Sequence, residues 1–240
     1  MSFKENDFLY IEYDLIDKEA NKLVATTNEA KAKEANVYKK EMHYGKSLFI
    51  VGSEANLKGL NKEIKNLNLN ESKDIILKPD EAFGDYDKNL IKVMHLSDFK
   101  SHDINPYPGM EVNIDNKIAL IKAVNSGRVI VDFNNQLAGR ELIFKIKITD
   151  FFNSDEDKIK ALSEYENIKL KNIKIKENSC EISFGPEINK NESYFIKKQY
   201  LIDSIFKYLN IEKVNIIEEY EKQKKENNKN INNGDVQTKT

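Results

Sequence analysis

At 240 residues the chain is longer than one small core requires, and two or three compact units are the natural expectation. Charged residues make up 32% and hydrophobic ones 40%, the balance of a soluble globular protein, and a net charge of -2 offers no basic field for holding nucleic acid. No apolar run approaches the ~20 residues that cross a bilayer, the polar start predicts no signal peptide, and a lone cysteine, Cys180, excludes an internal disulfide framework, so a cytoplasmic setting without membrane partners is expected.

The first element is a strand over 8–17, where Leu9, Ile11, Tyr13 and Leu15 alternate against Tyr10, Glu12 and Asp14. A turn at 18–21 leads into Lys22-Leu-Val-Ala-Thr-Thr27. Asn28 is placed to cap a short helix through Ala35, a stretch rich in good helix formers. Ser47 to Val51 reads as an apolar strand ended by Gly52. Leu57, Leu60 and Ile64 then sit at helical spacing, with Asn56 as the expected cap. Lys73 to Leu77 is a strand stopped by Pro79.

From 86 to 129 the pattern changes to a small β-rich module. Val112 and Ile114 precede a turn at 115–117, Ile118, Leu120 and Ala123 carry the next strand, and a turn at 125–128 leads into Val129 to Phe133. Leu142 to Phe151 is a long strand with Phe144, Ile146 and Ile148 on one face and Lys145 and Lys147 on the other.

A third unit over 154–221 begins with a helix over about 154–165. Two strands follow, near 169–176 and 180–184, then a helix over about 192–209 with Phe195, Gln199, Ile202 and Phe206 down one face. A last strand starts at Lys213. The order α-β-β-α-β predicts helices on one face of a small antiparallel sheet. Residues 222–240 are mostly Lys, Asn, Glu and Gln without apolar periodicity and are expected to be disordered. The three histidines, His43, His95 and His102, lie outside helical reach of one another, so no metal site is read, and no motif for a cofactor is present.

Two motifs carry more than fold. They are Lys78-Pro-Asp-Glu-Ala-Phe-Gly-Asp-Tyr-Asp87 and Val131-Asp-Phe-Asn-Asn-Gln-Leu-Ala-Gly-Arg-Glu-Leu-Ile-Phe144. Together they resemble the two halves of a split FKBP-type peptidyl-prolyl cis-trans isomerase of the SlyD-like and long archaeal kind. The resemblance implies an α+β fold: an FKBP-like antiparallel β half-barrel over 1–85 and 130–152, interrupted at its flap by an insert, 86–129, that serves as a chaperone domain. It implies isomerase and chaperone activity on unfolded or proline-containing polypeptides.

Such chemistry needs no acid, base or metal. The barrier of ~18–20 kcal/mol comes from amide resonance, and a twisted amide, having lost much of its dipole, prefers an apolar, water-excluding pocket. By the resemblance, Tyr13 is a wall on the first strand and Ile50 stands where many members carry phenylalanine. Leu57 offers its backbone N–H to a substrate carbonyl, Leu60 is the floor, Phe83 and Phe144 are aromatic walls, and Leu137 belongs to the flap. Val24 and Ala25 replace the family's phenylalanine and aspartate, and Asn135 its histidine, which implies an efficiency lower by on the order of 10²-fold.

In the insert, Met94, Leu96, Phe99, Ile104, Tyr107, Met110 and Val112 are the expected client contacts. A catalytically degenerate holdase is the alternative. Lys169, Lys171, Lys174 and Lys176 leave a nucleic-acid reading of the third unit that a solvated lysine face explains more simply. Nothing in the pattern fixes an oligomeric state.

Overall fold

The computed structural model describes residues 2–186, 189 and 191–221. They form two compact units that divide after Ala161. The region 222–240, expected to be disordered, lies outside the described residues.

The first unit begins with strand β1, Phe8–Asp17, as its alternation requires. β2, Lys22–Thr26, folds back on it, and Asn28 caps α1, Glu29–Glu34, by accepting the Lys31 N–H at 3.0 Å. β3, Ser47–Ile50, precedes α2, Lys58–Ile64, and β4, Ser72–Leu77. Asn56 does not cap α2 as expected. Leu57 holds that position without a side-chain bond, while the Asn56 amide donates to Ile50 O at 2.7 Å and to Asn61 Oδ1 at 3.0 Å. The asparagine satisfies the loop that enters the helix rather than the helix end.

An insert follows: β5, Ile91–His95, α3, Leu96–Lys100, β6, Glu111–Ile114, β7, Lys117–Asn125, and β8, Arg128–Asp132. β5 and α3 were not expected. β5 completes an antiparallel sheet ordered β5-β8-β7-β6, and Phe99 of α3 joins the core against it. Both central residues of the β6–β7 turn, Asp115 and Asn116, have positive φ (51° and 61°), the geometry that matches the twist of a two-residue hairpin. β8 remains in this sheet to Asp132, paired with Ile91 and Leu120, so the insert runs past the expected boundary at 129.

β9, Leu142–Phe152, then lies antiparallel to β1 along its whole length and pairs with β4 on its other edge. The main sheet is ordered β2-β1-β9-β4, with β3 against the first half of β1. Leu9, Ile11, Leu15, Ile75, Phe144, Ile146 and Ile148 point from it onto Leu60 and Ile64 of α2. Phe3, ahead of any strand, is 5% exposed and joins this core against Phe151 at 5.6 Å between ring centroids.

α4, Asp155–Tyr165, spans the division between the units. In the second unit β10, Asn172–Lys176, pairs antiparallel with β11, Ser179–Phe184. α5, Glu192–Tyr208, then crosses over to β12, Lys213–Glu218, which runs parallel to β11. The sheet is therefore mixed and not antiparallel, because a helix separates the last two strands and returns the chain in the same direction. The buried face of α5 is also one residue away from the expected stripe. Tyr194, Leu201 and Ile205 are buried, whereas Phe195 and Phe206 are about half exposed.

Glu218 ties β12 to α5. Its carboxylate accepts from Lys198 Nζ at 2.5 Å, the Tyr194 hydroxyl at 2.8 Å and the Tyr220 hydroxyl at 2.7 Å. The Lys198 bond, aided by the two tyrosines against the cost of burial, holds its carboxyl down to about 2. A depressed folded value stabilises above the unfolded value of about 4.3 and is lost as pH falls through the folded one. The second unit's urea midpoint, followed by NMR, is expected to fall as pH drops from about 4.5 to 2. Glu218→Gln is expected to cost about 1–3 kcal/mol near neutrality and to flatten that slope. An unchanged slope in the variant would assign the acid sensitivity to other groups.

Candidate active site

Eight of the nine expected pocket residues meet on one core. Leu60, 4% exposed, and Phe144, 5% exposed, belong to it, and Tyr13, Val24, Ala25, Leu57, Phe83 and Leu137 are partly buried side chains packed on its rim. Tyr13 stacks on Phe144 with centroids 4.7 Å apart and planes 30° off parallel. Ala25 pairs with Leu15 in the β1–β2 ladder and so shares its inward face, while Val24 sits in a bulge of that ladder. The result is an apolar, aromatic-walled surface at one end of the sheet.

Ile50 is the exception. It pairs with Phe8, on the sheet face opposite the core, and Phe49, 3% exposed, is the inward residue of β3. A strand's period of two makes a shift of one residue a change of face, and that shift separates the expected Ile50 from the observed Phe49.

Polar groups at the rim are few. The Leu57 N–H donates to no other group among the described residues, and neither does the Tyr13 hydroxyl. Burial, then the neighbouring Tyr44, pushes the Tyr13 phenol above its ordinary value, so it stays protonated and able to donate. Ala25 provides no acceptor where an aspartate was the expected residue type.

The flap is a chain of turns between β8 and β9. Asn135 Oδ1 accepts the Leu137 N–H at 2.9 Å, which aims the turn carrying Leu137. Asn135 thus orients the flap backbone from within, without an imidazole. Gly139 N donates to Gly84 O at 2.8 Å, with φ at +73°, and a Cβ there would stand 3.0 Å from that of Tyr86, so the position requires glycine.

Two connections leave the barrel for the insert, and side chains bind them together. The Tyr86 hydroxyl donates to Asp132 Oδ2 at 2.6 Å. Asn134 Oδ1 accepts from Asp87 N at 2.9 Å, and its amide donates to Asp87 O at 2.9 Å and Asp132 Oδ1 at 2.8 Å. Burial raises the Asp132 carboxyl, but the Tyr86 and Asn134 bonds outweigh it and the net shift is downward. Sequence reasoning passed over this network, although Asp132 and Asn134 stand inside the quoted flap motif.

The expected client contacts in the insert divide. Phe99 and Val112, 4% and 6% exposed, are in its core and present no surface to a client. Met94, Leu96, Ile104 and Met110 pack partly buried against that core, and Tyr107 is 61% exposed. The open apolar surface lies on the sheet's other face. It carries Val93, 63% exposed, and Ile118, 69% exposed, with Leu120 and Ile130 half-buried on the same side.

A polar groove of about 860 Å³ was also unforeseen. It runs between α1, Tyr44 and the charged face of β1, β9 and β4, and Tyr13 and Ile146 border it. Its charges are largely matched, Lys31 to Asp14 at 2.6 Å and Lys145 to Asp74 at 3.7 Å.

Comparison with known proteins adds names to this geometry. The family described as "FKBP26, IF domain" matches residues 92–137. The "Short-type peptidyl-prolyl cis-trans isomerase" of Methanocaldococcus jannaschii is 32% identical over 141 residues, which cover 59% of this chain and 90% of that protein. The "FKBP-type peptidyl-prolyl cis-trans isomerase SlyD" of Helicobacter pylori is 30% identical over 118 residues, 47% of this chain and 63% of that protein. A solved structure of the three FKBP domains of wheat FKBP73 overlaps 64% of this chain and 42% of its own, at 10% identity and a TM-score of 0.34.

Proposed function

Because the chain belongs to the FKBP-type, SlyD-like peptidyl-prolyl cis-trans isomerases, and is thereby of an enzyme class, we propose that its apolar rim is the isomerase pocket and that its insert gathers unfolded chains for it. The observation that carries the reading is the convergence of Tyr13, Leu57, Phe83, Leu137 and Phe144 on one core beside the free Leu57 N–H. In the mechanism this supports, the proline ring enters between Tyr13, Phe83 and Phe144. The Leu57 N–H holds a carbonyl of the peptide. The low-polarity walls favour the twisted amide, whose dipole has shrunk, over the planar one. No proton is transferred and no bond is broken.

The holdase without catalysis is the second reading, favoured by Ala25, which offers no acceptor to a Tyr13 hydroxyl that has none among the described residues. Exchange of a short X-Pro peptide, followed by NMR with catalytic amounts of the protein, separates the two. Acceleration of an exchange that otherwise takes tens to hundreds of seconds supports the pocket. An unaccelerated exchange combined with binding of an unfolded client supports the holdase.

Client binding by the insert is supported by its open sheet face, since contiguous exposed apolar residues rimmed by polar ones mark interaction surfaces. Val93→Asp combined with Ile118→Asp is expected to weaken binding of a permanently unfolded client about tenfold, the loss of roughly 1.4 kcal/mol of apolar contact. Titration by fluorescence anisotropy checks it. Unchanged affinity would move the client elsewhere. Cytoplasmic residence is part of the same proposal, resting on the single buried cysteine.

A further inference from the structure

Beside the backbone bonds of Gly139 N to Gly84 O at 2.8 Å and Lys18 N to Glu141 O at 3.1 Å, three side-chain ties hold the flap turn 135–141 to the rest of the first unit, and they are unequal. Gln136 Nε2 donates to Glu111 Oε1 of β6 at 2.5 Å, and Lys18 Nζ meets Glu141 Oε2 at 2.5 Å, both in exposed positions. Exposed pairs of this kind contribute little, because water competes for each partner and long side chains lose freedom in pairing. The third tie is different. Asp17, at the end of β1, is 1% exposed, and Arg140, directly after Gly139 in the flap, reaches it with Nη1 on Oδ2.

The other carboxylate oxygen of Asp17 is already committed. Oδ1 accepts the N–H groups of Glu19 and Ala20, both at 3.1 Å, and so shapes the turn into β2. Oδ2 is left for the flap, and Arg140 is the cation that meets it. A buried carboxylate strongly prefers to keep its counter-ion. Arg140 N also donates to Leu137 O at 3.3 Å, so the residue that grips β1 belongs to the turn that carries Leu137.

We propose that Asp17 and Arg140 are positioning residues for isomerisation, their ion pair clamping the flap so that Leu137 keeps its place on the pocket rim while the amide twists. The inference rests on the reading of that rim as the isomerase pocket. Neither is one of the rim residues named for the pocket, and both act through Leu137, whose carbonyl accepts the Arg140 N–H. Misplacement of one wall by about 1 Å is enough to lower turnover by one to two orders of magnitude. Because the wall is complementary to the twisted amide, the loss falls on kcat more than on KM.

The test uses the full chain and one X-Pro tetrapeptide, with kcat and KM measured for the wild type, Arg140→Gln, Asp17→Asn, the double variant and Arg140→Lys. Asp17→Asn retains the oxygen that accepts Glu19 and Ala20, so the turn survives while the charge is removed. Each single change is expected to lower kcat about tenfold, with KM little moved. The double variant should be no worse than either single one, since both remove the same tie. Arg140→Lys should recover most of kcat.

Wild-type kcat in Arg140→Gln and Asp17→Asn, or losses that multiply in the double variant, would overturn the inference and leave the pocket standing. A lower melting temperature with unchanged kcat would reduce the pair to a structural staple. A wild-type chain that does not accelerate exchange would overturn the pocket reading, and the inference with it.

Discussion

Phe83→Ala is expected to lower kcat/KM for an X-Pro tetrapeptide by about 10²-fold while the protein stays folded. Phe83 is a partly buried ring at the edge of the main core and not one of its interior members. On the proposed reading of the rim, its loss opens one wall of the pocket to water, and the apolar preference for the twisted amide declines with it. Truncating a half-buried side chain costs about 1–2 kcal/mol, less than the 3–5 kcal/mol of a fully buried phenylalanine, so far-ultraviolet circular dichroism at 25 °C should match the wild type. NMR exchange spectroscopy on the tetrapeptide reads the activity. Retention of more than half the wild-type kcat/KM would remove Phe83 from the pocket.

The second large effect is expected from taking out the insert. The neck, where Tyr86, Asp87, Asp132 and Asn134 bind the two connections together, indicates where to cut. Asn134 bonds both the N–H and the carbonyl of Asp87, so joining Asp87 to Phe133 through a short linker preserves the base of the two connections. A cut at 129 would strand the rest of β8 without its partners Ile91 and Leu120. The shortened protein is expected to lose suppression of aggregation of an unfolded client, measured by light scattering. It should keep tetrapeptide turnover within a few-fold, because Leu137 remains fixed through Arg140 and Asp17. Undiminished suppression would show that the insert is not the client-binding part.

The legible parts of this chain were those where one local rule acts alone. The alternation of Leu9, Ile11, Tyr13 and Leu15 against polar neighbours could only be a half-buried strand, and β1 is one. Asn28 ahead of a run of helix formers gave α1 its cap. Where two rules compete, reading failed by small steps. Leu48, Phe49 and Ile50 are all apolar, so nothing local says which faces inward, and pairing with Leu9 decides for Phe49. On α5 the apolar residues surround the helix, and Tyr194, Leu201 and Ile205 are selected by packing within the second unit.

β5 was missed because Ile91-Lys-Val-Met-His is too short and mixed to stand out, and it is a strand only through its pairing with β8. At the candidate site, the apolar residues that pack on one core were named through motif resemblance and not through periodicity. The ion pair of Asp17 with Arg140 and the bond of Tyr86 to Asp132 join residues far apart in sequence, which no local pattern shows.

The neck also bears on how the chain reaches this fold during synthesis. β4 and β9 are neighbours in the main sheet, with Leu77 opposite Leu142, yet the whole insert is made between them. Closing a long loop costs chain entropy that rises with the logarithm of its length. The insert's own strands pair mostly across short turns, so it can form soon after it emerges, before β9 exists. Once it has formed, β5 and β8 lie side by side, and Asp87 and Asn134 are already together. For the barrel the long loop then behaves as a short one, and β9 arrives beside β1 and β4 with most of the search already done.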